Sequence, residues 1–379
     1  MHTLSDLERD LMTVVSGFVD KEVAPAAHGY ESTDTFPRAT FNQLGQMDLL
    51  GLAMPESVGG SALPYRTYLL VLEELARGHA SLALAVSVHT LVMKAILHSA
   101  DGDQAARLLP DMVSGASLGA FCLSEPDSGS DAASLMCRAE QRGGAYLLNG
   151  TKAWVTHGGH AKTHIVFART GGTGAGGISA FAIDADQQGL AVAKHEDKMG
   201  LRGSPTAQMT FTDALVDGDR LLGGVQGQGF STAMAGLDTG RLGIAALAVG
   251  LAQAALDAAI SYARQREQFG KPIIEFQGLQ FLLADMATQL EAARALYKDA
   301  ASRMDAGFDV SKVSSMAKLF CTDTAMQVTT DAVQVLGGVG YTKDFPAERY
   351  MREAKVLQIF EGTNQIQRMV IGRRLASGR

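Results

Sequence analysis

The hydrophobic periodicity of this sequence changes twice along the chain, and that order restricts the fold more than any single motif does. Up to about residue 115, apolar residues recur every three or four positions, as in LSDLERDLM, which is typical of one helix face. From about 116 to 225 the apolar runs are short and β-branched or aromatic, with turn residues between them. After residue 230 long alanine-rich helical patterns return. Strands and helices do not alternate, so a Rossmann domain is not supported and an α+β fold is predicted.

The 379 residues are too many for one simple core, and the two changes of pattern divide them into three predicted domains. The first is an all-α domain over residues 1–115. The second is a β domain over 116–225, which we expect to be a small barrel. The third is a bundle of long helices over 226–379.

Turn and stop signals add local detail to this outline. Asn149-Gly150 lies between two strand-like runs and predicts a hairpin turn. Gly337-Gly338 follows a long helical pattern and predicts a helix C-terminus. The glycine clusters GGVQGQG and GGVGY lack the preceding strand and following helix of a dinucleotide fingerprint.

Composition and charge exclude several classes of protein. The net charge is −7 and no basic run is present, so a nucleic-acid partner is not expected. The N-terminal segment is acidic and amphipathic, unlike a secretory signal, and we expect no apolar run long enough to cross a membrane. Cysteine and histidine lack metal-ligand spacing, and the three cysteines are expected to be reduced. We therefore expect a soluble, cytoplasmic protein without a metal, large enough for a buried site.

Three stretches are candidates for chemistry. The loop FCLSEPDSGSDAAS, residues 121–134, is either a ligand-binding loop or an ordinary polar turn, and composition favours neither. KAWVTHGG, residues 152–159, holds the only tryptophan, Trp154, which on composition alone is more often a core residue. IFEGTNQIQR, residues 359–368, places Glu361 between an apolar run and a helix start. The histidines are isolated and are interpreted as surface or satisfied loop residues.

Taken together, these stretches resemble the acyl-CoA dehydrogenase family. CLSEPDSGSD is similar to the first signature of that family, and QVLGGVGYTKDFPAERYMREAKVLQIFEGTNQIQR is similar to the second. NGTKAWVT, KMGLRGSPTA, LDTGRLGIAALAVGLAQ and AISYARQREQFGKPI follow between them in the family order. The resemblance covers nearly the whole chain. It implies an N-terminal helical domain, a middle β-barrel domain and a C-terminal four-helix bundle.

The resemblance also implies an activity. Family members bind FAD and oxidise an acyl-CoA thioester to the trans-2-enoyl-CoA, passing electrons to an electron-transfer flavoprotein. LDTGRLGIA and PAERYMREAKV favour the short-chain (butyryl-CoA) branch, with a short- or medium-chain substrate. One alternative is a flavin-dependent acyl-CoA oxidase on the same fold; a nitroalkane oxidase is disfavoured because it has Asp where this chain has Glu361. The other is a non-catalytic acyl-CoA- or flavin-binding protein.

Glu361 matches the catalytic base of the family. Some relatives carry the base on a central helix instead, at a position that matches Gly240, and glycine cannot abstract a proton. Ile359 and Phe360 are expected to exclude water and raise the pKa of Glu361, whereas the helix that starts near Thr363 acts in the opposite direction. The sequence does not decide between these two effects.

The remaining site residues follow from the same resemblance. FAD contacts are implied for Phe121, Leu123, Ser124, Ser130, Trp154, Val155, Thr156, Arg266, Gln268, Gln277, Gln334, Val335, Leu336, Gly337, Gly338, Thr363 and Gln365. Substrate contacts are implied for Ser130, Asp238, Arg241 and Gly362. Arg241 could equally be a structural ion-pair partner, and Arg266 a solvated charge at a helix end. His157 and Gln268 depart from residues common in relatives.

The resemblance finally implies an oligomer. In the family, the positions that match Arg266, Gln268, Gln277 and 334–338 reach the FAD of a neighbouring subunit. At least a dimer is therefore expected, and a homotetramer built as a dimer of dimers is usual in the family.

Overall fold

The N-terminal part of the chain is helical, as predicted. A computed structural model describes residues 4–378, so the outer ends of the predicted domains, residues 1–3 and 379, lie outside the described residues. Ser5 caps the first helix, because its Oγ accepts from the Glu8 N–H at 3.2 Å while Glu8 Oε2 accepts from the Ser5 N–H at 2.9 Å. The helices are α1 (Asp6–Phe18), α2 (Ala24–Ser32), α3 (Arg38–Gln46), α4 (Tyr65–Gly78), α5 (Ala80–Ser99) and α6 (Gly102–Val113), with a π-helical turn (Val19–Val23) between the first two.

Seven strands follow and form one curled sheet. They are β1 (Gly119–Cys122), β2 (Arg138–Arg142), β3 (Ala145–Thr156), β4 (Thr163–Arg169), β5 (Ile178–Asp184), β6 (Leu190–His195) and β7 (Thr206–Asp217). In one part of the sheet, β4 pairs with β1 in parallel and with β5 antiparallel. In the other part, β2, β3, β7 and β6 are antiparallel neighbours. A single residue pair, Arg138 with Arg169, joins the two parts.

The hairpin predicted at Asn149-Gly150 is wrong. The strand β3 continues through both residues, and the turn between β2 and β3 lies at Gly143-Gly144 instead. Strand β3 pairs with β2 on one side and with β7 on the other, and its register against β7 shifts between Leu148 and Gly150. A Cβ at Gly150 would lie 2.8 Å from Cys137 Cα, so glycine is needed here for close approach of two strands, not for a turn.

The C-terminal part is again helical, and its long helices pack against each other. Its elements are α7 (Gly229–Gln265), β8 (Glu267–Gln268), β9 (Lys271–Pro272), α8 (Gln277–Asp305), α9 (Ser311–Leu336), α10 (Ala347–Leu357) and α11 (Asn364–Ala376). Helix α9 ends at Gly337, whose φ of 63° suits glycine, and this confirms the predicted helix end.

Helix α7 joins the N-terminal and C-terminal helices in one hydrophobic core. Its glycine and alanine residues let α4 and α5 approach closely; a Cβ at Gly250 would lie 2.0 Å from the Glu73 carbonyl oxygen. The largest cluster of buried apolar residues contains side chains from α4, α5, α7, α8 and α9. Two further clusters lie against the two faces of the sheet. The three parts of the chain are therefore packed together around α5, β1 and the first half of α7.

Two helices are long and apolar enough to cross a membrane, which corrects the expectation that no apolar run reaches that length. They are Ala80–Ser99 and Gly229–Gln265, α5 and α7. In their most apolar windows 89% and 78% of the residues are buried inside the protein. The apolar character of both helices is thus accounted for by their place in the core.

Candidate active site

The Glu361 loop, residues 358–363, connects α10 to α11. Thr363 caps α11, since its Oγ1 accepts from the Ile366 N–H at 3.2 Å, and the helix start predicted near this residue is confirmed. Glu361 and Gly362 both have left-handed backbone conformations, with φ of 53° and 85°. For glutamate this conformation is uncommon, and it persists only where surrounding contacts hold it.

The Glu361 carboxylate is enclosed and has an oxygen without a partner. In the described part of the chain, its buried Oε2 atom receives no hydrogen bond. A Cβ placed on Gly240 of α7 would lie only 2.8 Å from this oxygen and 2.7 Å from Leu91 Cδ1. Burial raises the pKa of Glu361 to about 7, although the positive charges of Arg241 and Lys318 act to lower it. Desolvation therefore outweighs the positive charges of Arg241 and Lys318, and the pKa is raised, the direction that burial was expected to give.

The residues that enclose Glu361 differ in part from those expected. Ile359 is 52% exposed and points away from the core, so it does not shield the carboxylate within this chain. Phe360 packs against the largest core cluster. The close neighbours of the carboxylate are instead Leu91 on α5 and the backbone of α7 at Gly240.

Elements from all three parts of the chain meet one helical turn from Gly240. A Cβ at Gly236 would lie 3.6 Å from Leu91 Cδ2, 3.6 Å from Phe121 Cε2 and 3.7 Å from Ala95 Cβ. The Phe121 ring, at the end of β1, also packs on Phe167 with 4.8 Å between the ring centroids. The lack of side chains at Gly236 and Gly240 thus lets the strand end, α5 and the Glu361 carboxylate lie close to the backbone of α7.

Trp154 is not a core residue. Its side chain is 64% exposed, and its φ of 59° marks it as an irregular position in β3, where the register against β7 shifts between Lys152 and Val155. The Ala153 N–H donates to the Ser124 carbonyl oxygen at 2.8 Å, which ties this segment to the end of β1. A strained backbone that exposes a large aromatic ring is typical of a binding surface.

Two of the residues predicted beside Trp154 have little side-chain surface to offer. Leu123 and Val155 are buried, at 8% and 0% exposure. Ser124, Thr156 and Phe121 are half-buried and Ser130 is exposed.

A buried ion pair fixes this region, and the sequence analysis missed it. Lys152 Nζ donates to the Leu123 carbonyl oxygen at 3.0 Å and contacts Glu125 Oε1 at 2.7 Å. The Glu125 carboxylate also accepts from the N–H groups of Met136 and Cys137 at 2.6 and 2.9 Å. A lysine within the otherwise strand-like run NGTKAWVT was the available signal, because a lone cation in a strand needs a buried partner.

Histidines near the same strand are structural. His89 is fully buried, with Nε2 at 2.8 Å from the Met112 carbonyl oxygen and Nδ1 accepting from the Gly119 N–H at 3.1 Å. His157 is also buried, and its Nδ1 lies 2.8 Å from the Gly119 carbonyl oxygen. Burial lowers the pKa of His89 to about 4 and that of His157 to about 3, so both are neutral. They anchor the start of β1 instead of lying at the surface.

The β8–β9 hairpin, residues 266–272, is largely exposed. Arg266 and Gln268 are exposed, and Phe269 is 95% exposed. In the described part of the chain, the Arg266 guanidinium has no carboxylate partner. Gln277, at the start of α8, is also exposed.

The other predicted flavin positions are mixed. In the segment 334–338, Gln334, Gly337 and Gly338 are exposed, whereas Val335 and Leu336 are buried in the largest core cluster. The last two side chains therefore serve packing, which leaves only their backbone for a ligand. Gln365 is exposed, while Thr363 caps its helix as described above.

Of the predicted substrate residues, Asp238 and Arg241 form an ion pair on α7, with 2.7 Å between Asp238 Oδ1 and Arg241 Nη1. Arg241 is 8% exposed and its Nε has no partner in the described chain. The structural alternative for Arg241, an ion-pair partner, is thus present. The same positive charge also acts on Glu361.

The surface fits a large, partly aromatic and anionic cofactor such as FAD. The exposed indole of Trp154 and the half-buried Phe121, Ser124 and Thr156 offer a flat surface with polar edges. An unpaired, exposed arginine such as Arg266 suits a pyrophosphate, since its planar fork binds paired oxygens. Within residues 4–378 no group of three or more His, Cys, Asp or Glu side chains is placed to hold a metal ion.

Comparison with known proteins gives a consistent result along the whole chain. Three family models match: the acyl-CoA dehydrogenase N-terminal domain at residues 5–116, the middle domain at 120–214 and the C-terminal domain at 227–376. An acyl-CoA dehydrogenase of Bacillus subtilis is 47% identical over 367 residues, covering 96% of this chain and 97% of the relative.

Solved structures agree with this result. Butyryl-CoA dehydrogenase from Megasphaera elsdenii has a TM-score of 0.97 and 38% identity, with 99% of this chain and 100% of that chain covered. A chain in the structure of the electron transferring flavoprotein of Acidaminococcus fermentans has a TM-score of 0.97 and 41% identity, with 99% of each chain covered. The chain therefore belongs to the acyl-CoA dehydrogenase family, whose members are FAD-dependent oxidoreductases.

Proposed function

We propose that this protein oxidises a short-chain acyl-CoA thioester to the trans-2-enoyl-CoA, with Glu361 as the base that removes the α-proton. The observation that carries the proposal is the Glu361 carboxylate, which is enclosed by α5 and α7 and has no partner for Oε2 in the described chain. A base needs a free carboxylate oxygen in a site from which water is excluded. A pKa raised to about 7 suits a base that works near neutral pH.

The backbone of the Glu361 loop supplies a second element of the mechanism. The Glu361 N–H has no acceptor in the described chain, so it is available to the thioester carbonyl oxygen. A hydrogen bond there stabilises the negative charge that develops when the α-proton leaves, and such donors contribute about 3–4 kcal/mol in other enzymes. The glycine at position 362 lets a thioester approach this backbone closely.

The cofactor is held by residues on the exposed side of the site. We assign its ring system to Phe121, Ser124, Trp154 and Thr156, with Leu123 and Val155 contributing backbone. Bound FAD supplies the acceptor for the hydride that leaves the β-carbon. The chain's own part is to hold the cofactor and the thioester with the α-carbon facing Glu361 and to exclude water from both.

The other predicted contacts complete this assignment. On the same side, FAD contacts come from Ser130, Thr363 and Gln365, and from Arg266, Gln268, Gln277, Gln334, Val335, Leu336, Gly337 and Gly338 of a neighbouring subunit. The substrate contacts come from Ser130, Asp238, Arg241 and Gly362.

The substrate class we propose is a short acyl chain. Leu91 and Ala95 on α5 and Phe121 pack close to Gly236 or Gly240 beside Glu361, and this close packing supports a short chain. The similarity to a butyryl-CoA dehydrogenase supports the same class.

The proposed partners are an electron-transfer flavoprotein and further copies of this chain. The first is supported by the similarity to a chain in an electron transferring flavoprotein structure. The second is supported by the exposed β8–β9 hairpin, where Phe269 is 95% exposed. A dimer of dimers with domains 1–115, 116–225 and 226–379 in each subunit, in the bacterial cytoplasm, remains the prediction.

The test is anaerobic reduction of the purified protein. We expect a yellow holoprotein whose flavin absorbance is bleached by butyryl-CoA, and a series from C4 to C16, with branched and dicarboxylic members, gives the chain-length preference. Electron-transfer flavoprotein should restore the yellow colour quickly, and oxygen only slowly. Fast reoxidation by oxygen with formation of hydrogen peroxide would favour the oxidase alternative. A yellow protein that no acyl-CoA bleaches would contradict the dehydrogenase proposal.

A further inference from the structure

Lys318 lies on α9 behind the Glu361 loop and is fully buried. Its Nζ donates to the Gly362 carbonyl oxygen at 2.9 Å and to Asn364 Oδ1 at 2.8 Å. Both acceptors are neutral, and within residues 4–378 no carboxylate lies at ion-pair distance from this ammonium. A buried charge without a contacting counter-ion costs free energy of folding. The burial of Lys318 is therefore not explained by a gain in stability.

The two acceptors of Lys318 belong to the segment that aims Glu361. The Gly362 carbonyl oxygen also accepts from Gln367 Nε2 at 2.9 Å, and the same amide lies 3.3 Å from the Glu361 carbonyl oxygen. These donors therefore bond to the backbone of two consecutive left-handed residues, Glu361 and Gly362. A left-handed glutamate stays in place only when its surroundings fix it, and within the described residues Lys318 is the one charged side chain that hydrogen-bonds to the backbone of Glu361 or Gly362.

The second acceptor, Asn364, anchors the turn to α9. Asn364 Nδ2 donates to Asp323 Oδ1 at 2.7 Å and lies 3.0 Å from Thr322 Oγ1. Lys318 and Thr322 lie on one face of α9, since four positions separate them, and Asp323 directly follows Thr322. The side chains of Lys318, Thr322 and Asp323 therefore fix the start of α11 to α9 through Asn364. Of these three side chains, Lys318 also bonds to Gly362, the residue next to Glu361.

The charges around this turn come from three elements. Lys318 and Asp323 are on α9, Arg241 is on α7, and Glu361 itself is on the loop. Burial raises the pKa of Tyr65 on α4, and the negative charge of Glu361 also raises it. Burial lowers the pKa of Lys318 to about 7, while Glu361 and Asp323 act to raise it. Lysine and glutamate thus titrate in the same range, and each favours the charged form of the other.

We propose that Lys318 is a positioning residue for the base: it holds the Glu361–Gly362 turn through the Gly362 carbonyl oxygen and keeps a buried positive charge beside that turn. The inference rests on the proposed function of Glu361 and deepens it. Lys318 contacts neither the thioester nor the reacting atoms; it acts only through the turn and through its charge.

The test compares three variants of the FAD-loaded protein. Lys318→Met removes the charge and the donor while keeping much of the side-chain volume, and Lys318→Arg keeps the charge. Lys298→Met is the matched control, because Lys298 is a half-buried lysine of the same helical region, on α8, with its Nζ over the Tyr297 ring and away from the loop. Each variant is measured for the single-turnover rate of flavin bleaching by butyryl-CoA between pH 6 and 9, and for hydrogen exchange of the peptide covering residues 358–368.

We expect Lys318→Met to bind FAD but to bleach about tenfold to a hundredfold more slowly at pH 7, as for a displaced reacting group. The pH midpoint should move upward, because loss of a nearby positive charge raises the pKa of a carboxylate. The peptide 358–368 should exchange faster. Lys318→Arg should restore the midpoint at least in part, and Lys298→Met should change neither measurement.

Two results would overturn the inference. The first is an unchanged midpoint and unchanged hydrogen exchange in Lys318→Met, even if its melting temperature falls, because a merely structural lysine would give that pattern. The second result concerns Lys318→Arg and decides the matter if Lys318→Met does not fold. If the pH midpoint of bleaching moves upward in Lys318→Arg as far as it would after complete loss of the charge, the inference is wrong. Failure of the proposed function is distinguishable, since the unsubstituted protein would then not be bleached at all.

Discussion

The Glu361 loop and the β8–β9 hairpin are both assigned to the same site, yet the chain surrounds them differently. The loop is held from behind by Lys318 and Gln367, and its carboxylate is enclosed by α5 and α7. The hairpin projects from the end of α7, with Phe269 95% exposed. The loop is enclosed by its own chain, whereas the hairpin is exposed in the single chain.

This difference indicates a division of labour. Proton abstraction depends on a desolvated carboxylate, which one chain can provide through its own packing. Binding of a large anionic cofactor can be shared between two subunits. Exposed arginine and glutamine side chains of one subunit can bind a ligand that lies mostly on the other. Substitutions in the loop should therefore affect the reaction, whereas those in the hairpin should affect cofactor binding and assembly.

The largest effect is expected for Glu361→Gln. Glutamine keeps the shape but cannot accept the α-proton, so the rate of bleaching by butyryl-CoA should fall about 10²–10⁴-fold. FAD should stay bound, as shown by the visible spectrum. Glu22→Gln, at an exposed carboxylate in the N-terminal helices, is the control. Full activity in the Glu361 variant would contradict its assignment as the base.

Next is Gly240→Ala, which tests how tightly α7 fixes the carboxylate. The new Cβ would lie 2.8 Å from Glu361 Oε2 and 2.7 Å from Leu91 Cδ1, so one of them must move. We expect about a hundredfold slower bleaching with no loss of thermal stability, since alanine favours a helix over glycine by about 1 kcal/mol. Gly29→Ala is the control, because a Cβ at this position of α2 would have nothing within 4 Å. Equal rates in both variants would show that the carboxylate is not constrained there.

A smaller effect, confined to the cofactor, is expected for Arg266→Ala. Loss of a charge-assisted hydrogen bond worth about 1.5–3 kcal/mol should weaken FAD retention about 10- to 100-fold, measured as free flavin after dilution. Arg264→Ala, two residues earlier on α7 and also exposed, should retain FAD normally. Light scattering adds to this test: a monomer that holds FAD with normal affinity would refute contacts from a neighbouring subunit.

The smallest expected effect concerns stability and pH. The pKa of Glu361 is raised from 4.5 to about 7 in the folded protein, so the folded state binds its proton more tightly than the unfolded state does. The associated stability is fully present below pH 4.5 and is lost as the pH rises through about 7. Glu361→Gln should therefore increase the melting temperature by more at pH 8 than at pH 5, by a few degrees at most. An equal change at both pH values would show that Glu361 is not desolvated.

The predictable and unpredictable parts of the site differ in physical character. The helix start near Thr363 depends on neighbouring residues, and the sequence predicted it correctly. Asn149-Gly150 has the local features of a hairpin, but β3 continues through it because β2 and β7 pair with it on both sides. Trp154 was a core residue by composition alone and is exposed, because a bulge in β3 turns it outward. Lys152 and Lys318 have partners 27 and 44 residues away in the chain, so the sequence could not show which groups they contact, even where the strand-like run around Lys152 gave a local signal.

The sequence by itself determined the order of helices, sheet and helices, the family resemblance, the FAD-dependent chemistry that it implies and the single candidate base. These features depend on periodicity and on motifs of contiguous residues. The tertiary structure decided that burial prevails at Glu361, that Leu91 and α7 enclose it where Ile359 was expected to, and that a buried lysine supports its turn. Desolvation and charge pairing depend on which distant segments pack together, and only the folded chain brings α5, α7 and α9 to the Glu361 loop.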